Sequence, residues 1–267
     1  MSNINEPYVL TEKQIESYQK DGYIKLKNVL TPDEITFYNS VISKKVNEMN
    51  SVDIPLDKRD TYGKAFIQLF NLWQEDNDIR ELVFSKRLGQ IATELMRVEG
   101  VRLYHDQALF KEPNGGITPW HADQHYWPLS SEKTITAWIP LQFTPLEMGP
   151  LEFSAESQTI LAGRELSISD ESEDIIGKKI RLNNFKHIIE SFENGEVSFH
   201  SGWIFHRAGA NSTSKMRKVM TIIYMDKNMK LKEPRNSGQL NDWNTWCPGA
   251  RIGEVIQSPL NPVIYEK

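Results

Sequence analysis

One cysteine, Cys247, stands in a chain of 267 residues. No intramolecular disulfide can form, which suits a reducing setting. The lone thiol is expected to be a small packed residue. Apolar runs stop far short of the roughly 18 residues that mark a membrane-spanning helix. Basic side chains are outnumbered, 31 to 36, and the net charge is −5. No basic stripe breaks that balance, so neither nucleic acid nor membrane is an expected partner. The opening segment Met1–Pro7 lacks the basic start and apolar stretch of a secretory signal. Together these absences point to a cytoplasmic protein. No internal repeat or low-complexity tract occurs.

What is present is ordinary globular composition, 39% hydrophobic and 25% charged, enough for one large domain or two small ones. Thr11 and Gln14 predict a capping box opening a helix that Asp21-Gly22 ends. Tyr23–Leu30 reads as a strand. Thr31 and Pro32 start a second helix, with Ile35, Tyr38, Val41, Ile42 and Val46 at helical spacing. Residues 50–64 are polar and read as loop. A further helical region runs from about Asp78 to Arg97, with Leu82, Leu88, Ile91, Ala92 and Leu95 as its buried stripe. From Val101 the texture changes. Short extended segments broken by Gly, Pro, Asn and Ser predict strands at Val101–Phe110, Trp120–His125, Ile135–Phe143, Leu151–Phe153, Glu196–His200, Trp203–His206 and Arg217–Met225. Many short strands with turn signals suggest a sandwich or barrel. The acidic stretch Ser167–Asp174 reads as an exposed loop.

His121-Ala122-Asp123 carries the most chemical information. On an extended strand, residues two apart share a face, so an imidazole and a carboxylate aim at one point. Pro119 and Pro128 argue against a helix here, and hence against a helical zinc pair of His121 and His125. His206, far downstream, would complete two His and one carboxylate, the set that leaves half of an octahedral iron open in non-heme Fe(II) oxygenases. Arg217 follows across a turn-rich stretch. Its fixed charge and planar fork suit the distal carboxylate of a 2-oxoacid. If strand 203–206 pairs with strand 217–225 about a centre between Asn211 and Ser212, His206 lies opposite Arg217 on one face. Lys218 then points the other way. His125 would share the site's face if its strand continues. His200 reads as a packed strand histidine or as a partner to a ligand. Trp120, Tyr126 and Trp127 suit either a substrate channel or the core. His105 and His187 carry no local signal.

The run Thr118–Leu129 resembles the signature of the phytanoyl-CoA dioxygenase family of Fe(II)/2-oxoglutarate oxygenases. Thr136-Ala137-Trp138-Ile139-Pro140-Leu141, followed by Thr144–Leu151, resembles that family's strand and glycine turn. His206–Asn211 with Arg217 resembles its distal half. The N-terminal helix, Asp-Gly and strand, and the C-terminal Ser258–Val263, also resemble members of the family. The resemblance implies a mainly β fold with flanking helices and a double-stranded β-helix (jelly-roll, cupin-like) core. It implies one domain over 1–267, with helical support at about 8–100, the jelly-roll core at about 101–230 and a tail over 231–267. It makes His121, Asp123 and His206 the iron ligands and catalytic centre, puts Arg217 on the C5 carboxylate of 2-oxoglutarate, and has Gln107 and Trp138 line the co-substrate pocket. Fe(II), 2-oxoglutarate and O2 are the implied cofactor and co-substrates. The expected reaction is hydroxylation of a C–H bond in a small molecule, with release of succinate and CO2. Related halogenases need a small residue where Asp123 stands, so that halide can occupy the metal. Two alternatives stay open: a non-catalytic sensor or scaffold of the same fold, and a hydrolytic zinc enzyme, which would leave Arg217 without purpose. Ala208 and Ser154–Ser157 depart from the residues common in relatives. No basic cluster for a CoA phosphate is visible, which disfavours an acyl-CoA substrate.

Overall fold

Two capping boxes organise the N-terminal layer. In the computed structural model, which describes residues 3–267, helix α1 (Glu12–Asp21) starts where Thr11 accepts from the Gln14 backbone and Gln14 accepts from that of Thr11. It ends on Gly22 at φ +80°, a left-handed turn that favours glycine. Met1 and Ser2 of the opening segment lie outside the described residues. Strand β1 (Tyr23–Leu26) stops short of the expected Leu30. Asn28 turns the chain at φ +54°, and the amides of Val29 and Leu30 donate to the Gly195 carbonyl instead of a sheet. Helix α2 (Pro32–Met49) has the Thr31–Glu34 capping box and buries Ile35, Tyr38, Ile42 and Val46.

The expected loop over 50–64 contains a short helix, α3 (Thr61–Ala65), because Asp60 caps it by accepting from the Gly63 amide. Strand β2 (Ile67–Phe70) follows; it was not foreseen. The helix expected from Asp78 to Arg97 is two, α4 (Asn77–Val83) and α5 (Lys86–Met96). Asp76 caps the first, and Ser85 interrupts the run by capping the second.

The strands that follow are β3 (Gly100–Lys111), β4 (Thr118–His121), β5 (Thr134–Pro140), β6 (Leu151–Ser154), β7 (His187–Ile189), β8 (Val197–Ser201), β9 (His206–Ala208), β10 (Arg217–Asp226) and β11 (Val263–Glu266). Between them lie α6 (Asp170–Leu182) and α7 (Ser237–Trp246). The larger sheet runs β1-β8-β5-β10-β3-β11, with β2 added on β3, and the smaller runs β4-β9-β6-β7. All named pairings are antiparallel. The two sheets form an open jelly roll, not a closed barrel, as the resemblance implies. Both the N-terminal strands β1 and β2 and the C-terminal β11 belong to the larger sheet, so the flanking segments supply strands as well as support.

Alternation along the strands sorts side chains into two layers. Ile135, Ala137 and Ile139 of β5, with Met220, Ile222 and Tyr224 of β10, pack into the main core with Ile42, Leu88 and Ile91 of the helices. Their strand neighbours Thr136, Trp138, Arg217 and Thr221 face the other way, into a cavity between the sheets.

Two further expectations are corrected. Ser167–Asp174 is not an exposed loop throughout: Ser169 caps α6, and Asp170, Glu171 and Glu173 occupy its first turn, where the helix dipole favours negative charge. The supposed hairpin of 203–206 with 217–225 does not exist. Strand β9 pairs with β4 and β6, whereas β10 pairs with β3 and β5 in the opposite sheet. Residues 209–216 cross between sheets rather than turning within one. Asn211, fully buried, pins that crossing by donating to the carbonyls of Lys111, Glu112 and Lys215.

Candidate metal centre and adjoining cavity

Strand β4 ends at His121, and the chain turns into a 3-10 segment over Asp123–Tyr126. The extended conformation persists through Ala122, at φ −124° and ψ 125°, so His121 and Asp123 still project to one side. His206 on β9 is the direct cross-strand partner of His121. The two rings stand 4.2 Å apart between centroids. Asp123 Oδ1 lies 3.4 Å from His121 Nε2 and 3.5 Å from His206 Nε2. One ligand atom from each of the three residues falls within 4.8 Å of the others.

The backbone fixes which nitrogen faces inward. His121 Nδ1 donates to the Pro119 carbonyl at 2.7 Å, and His206 Nδ1 to that of Ile204 at 3.1 Å. Each ring thereby holds its proton on Nδ1 and turns the Nε2 lone pair to the common centre. Burial, followed by the charge of His206, lowers the pKa of His121 and favours the neutral ring that can bind a metal. Burial alone would raise the Asp123 carboxyl. The electrostatic influence of His206, with the His121 and His200 rings beside it, outweighs that and holds the group well below the ordinary carboxylate range. Two imidazoles and one carboxylate, with no thiolate, make a donor set that fits ferrous iron.

The second carboxylate oxygen is also held. Thr136 Oγ1 donates to Asp123 Oδ2 at 3.2 Å, and His200 Nε2 lies 3.4 Å from the same atom. Thr136 and His200 are directly paired across β5 and β8. Of the two readings of His200, partner to a ligand is the one the geometry supports. The sequence leaves the role of His200 open and gives none for Thr136 until β5 and β8 are paired.

Beside this centre is a cavity of about 310 Å³. Arg217, 1% exposed, lines it. One guanidinium nitrogen donates to the Gly149 carbonyl, Nε has no partner, and the group lies 5.6 Å from the Trp138 ring centre. No carboxylate pairs with Arg217 among the described residues, and burial pushes it down to about 9. Lys111, its cross-strand neighbour on β3, is buried too, and burial followed by the charge of Arg217 pushes it down to about 6. The Arg217 guanidinium, desolvated and with no carboxylate beside it, fits an anionic ligand. Gly149 is essential to the arrangement. Its φ is +68°, and a side chain there would run into the Gly209 backbone.

Gln107 and Trp138 both line the cavity. A relay fixes the amide of Gln107: Tyr62 Oη donates to Gln68 Oε1 at 2.7 Å, and Gln68 Nε2 donates to Gln107 Oε1 at 2.5 Å. The Gln107 amino group is left as a donor. Tyr126 and Trp127 line the cavity, but Trp120 packs on Ile176 and Ile180 of α6. His125 is turned away by the 3-10 segment and bonds to the Arg164 carbonyl and Ser167 hydroxyl. Lys218 faces opposite to Arg217, toward Asn39. His187 pairs with Glu152 at 2.7 Å. Cys247 is buried, and its thiol is pushed up to about 12 by burial.

A two-sheet jelly roll with a His, Asp, His cluster between its sheets defines a class, the non-heme iron oxygenase scaffold. The family model of phytanoyl-CoA dioxygenase (PhyH) matches residues 18–219. The chain belongs to this family of Fe(II)/2-oxoglutarate-dependent oxygenases. Similar solved structures include the non-heme alpha ketoglutarate dependent carbocyclase SnoK from nogalamycin biosynthesis, with TM-score 0.78, 21% identity and coverage of 97% of this chain and 100% of that one. The epimerase SnoN in complex with Fe3+, alpha ketoglutarate and nogalamycin RO gives TM-score 0.79, 21% identity and coverage of 95% and 98%. EctD from S. alaskensis with 2-oxoglutarate and 5-hydroxyectoine gives TM-score 0.70, 16% identity and coverage of 97% and 92%. At these identities the likeness concerns the fold. No curated protein matches the chain in sequence. No helix among the described residues is long and apolar enough to cross a membrane.

Proposed function

We propose that this chain hydroxylates a C–H bond of a small molecule, with His121, Asp123 and His206 holding ferrous iron and Arg217 holding the distal carboxylate of 2-oxoglutarate. One observation carries the reading: three lone-pair donors converge beside a buried guanidinium that has no counter-ion among the described residues. Bound iron and 2-oxoglutarate supply the oxidising power, with O2 consumed and succinate and CO2 released as one oxygen atom enters the substrate.

The chain's own groups do the positioning. The Pro119 and Ile204 carbonyls keep His121 and His206 in the ligating tautomer. Thr136 and His200 hold Asp123 so that Oδ1 faces the centre. Arg217 draws a carboxylate into a site where its charge is poorly solvated, and Gln107 offers an amide N–H to the same ligand. Trp138, packed beside Arg217, keeps water from competing for that guanidinium. The whole of 1–267 is one unit in this reading, supported by the presence of β1, β2 and β11 in a single sheet.

SnoK is described as a carbocyclase and SnoN as an epimerase, so the outcome of oxidation is itself a test. Purified chain loaded anaerobically with Fe(II) should bind 2-oxoglutarate and, on mixing with O2, form succinate. With substrate present, mass spectrometry should find the product heavier by one oxygen, labelled from 18O2. A product of unchanged oxygen content, or one lighter by two hydrogens, would remove hydroxylation from the reading. Absence of succinate altogether would leave a binding protein.

A further inference from the structure

The cavity has a second, outer part that the iron and co-substrate do not account for. Its walls are Tyr62, Phe66, Phe70, Tyr126, Trp127 and Trp246, and its polar groups include Asp242 and Asn241. These come from four separate segments: α3 and the residue after it, β2, the 3-10 turn after Asp123 and the residue after that, and α7. Phe70 lies 4.8 Å from Trp246, and His105 lies 5.0 Å from Trp246 and 5.4 Å from Phe70, ring to ring. Burial pushes His105 down to about 4, so it contributes no positive charge at neutral pH.

Asp242 is the anomaly in this wall. It accepts from Tyr104 Oη at 3.1 Å, and no basic side chain is near enough to perturb it. Arg217, the strong cation of the cavity, lies on the co-substrate side. A carboxylate set among aromatic rings without a cation is costly unless a ligand brings one. The rings themselves attract a cation over their faces. Asp242 and Asp123 share this space: Tyr126, its hydroxyl raised first by burial, also feels the charge of both.

Resting on the reading of the cavity as an oxygenase site, we infer that its primary substrate is a cationic amine on an apolar skeleton, whose nitrogen is held by Asp242 while the skeleton lies against the aromatic wall. Asp242 is then the specificity-determining residue. Burial, against hydrogen bonds from Tyr104 and Trp246, raises its carboxyl to about 7. An incoming ammonium offsets that cost by restoring a partner to the charged form. A neutral hydroxyl is the competing occupant, since it can also donate to Asp242.

Matched probes separate the two. Tryptamine and tryptophol share a skeleton and differ in ammonium against hydroxyl, as do phenethylamine and 2-phenylethanol. Their affinities are measured by calorimetry on the anaerobic chain loaded with Fe(II) and 2-oxoglutarate, and again on the metal-free chain. At least one amine should bind about tenfold or more tighter than its alcohol twin, a difference of about 1.4 kcal/mol. Asp242→Asn keeps an acceptor for Tyr104 and removes the charge. It should bring the ratio close to one while the dissociation constant of 2-oxoglutarate stays unchanged. Equal binding of amine and alcohol, no binding by either amine, or a preference that survives Asp242→Asn would overturn the inference. Failure of 2-oxoglutarate to bind would count against the iron reading instead, and the metal-free titration would still decide this one.

Discussion

The inner and outer ends of the cavity are built on opposite principles. At the inner end every candidate functional side chain sits on a β-strand or within two residues of one, and each is tied down by a neighbour. The imidazoles are bonded to carbonyls two residues back, Asp123 to Thr136, and Arg217 to Gly149. At the outer end the walls come mainly from a five-residue helix, a 3-10 turn and a helix near the C-terminus, with Phe70 supplied by β2. Tyr62 is 39% exposed. Chemistry that needs fixed geometry is best served by rigid strands, and recognition is more often set on the segments around them.

That contrast can be broken most forcefully at the ligands. His206→Ala or Asp123→Ala should cost more in iron affinity than the 10- to 100-fold typical of an outer-shell partner, and bound iron should fall to background by elemental analysis. Normal iron content in both variants would place the metal elsewhere. Arg217→Ala comes next. Removing one side of a buried charge pair costs about 2–5 kcal/mol, so the KM for 2-oxoglutarate should rise roughly 30-fold or more, with iron retained. Thr136→Val deletes one hydrogen bond to Asp123 and should weaken iron about tenfold, without moving the KM for 2-oxoglutarate measured at saturating Fe(II). Gln68→Leu should have the smallest effect. It frees the Gln107 amide at a cost of about 1 kcal/mol, or roughly fivefold in co-substrate KM. If Gln68→Leu outweighed Arg217→Ala, the ordering from rigid to adjustable would be wrong.

The same contrast explains what could be read before folding. His121 and Asp123 are legible because two-residue spacing on extended chain is a local property. Alternation separates Arg217 from Lys218 but does not say which of them faces inward; the resemblance, not the supposed hairpin, singles out Arg217. The capping box at Thr11 and the Thr31 cap before Pro32 are local as well, and both helices start where their sequences say. His200 and Thr136 were not assignable, since their joint contact with Asp123 exists only through the pairing of β5 with β8. Asp242, Gln68 and Phe70 carry no local mark at all. The proposed hairpin failed for the same physical reason: turn-rich composition between two extended segments says that the chain bends, not whether it returns to the same sheet.

The crossing at 209–216 has a further consequence. Because β9 and β10 lie in different sheets, the span from the candidate metal centre to the guanidinium is set by the gap between two layers, not by the spacing of residues along one. Such a gap behaves as a caliper. It should accept one length of dicarboxylate and reject its homologues, so that a keto acid one methylene shorter or longer meets either the metal or the arginine, but not both.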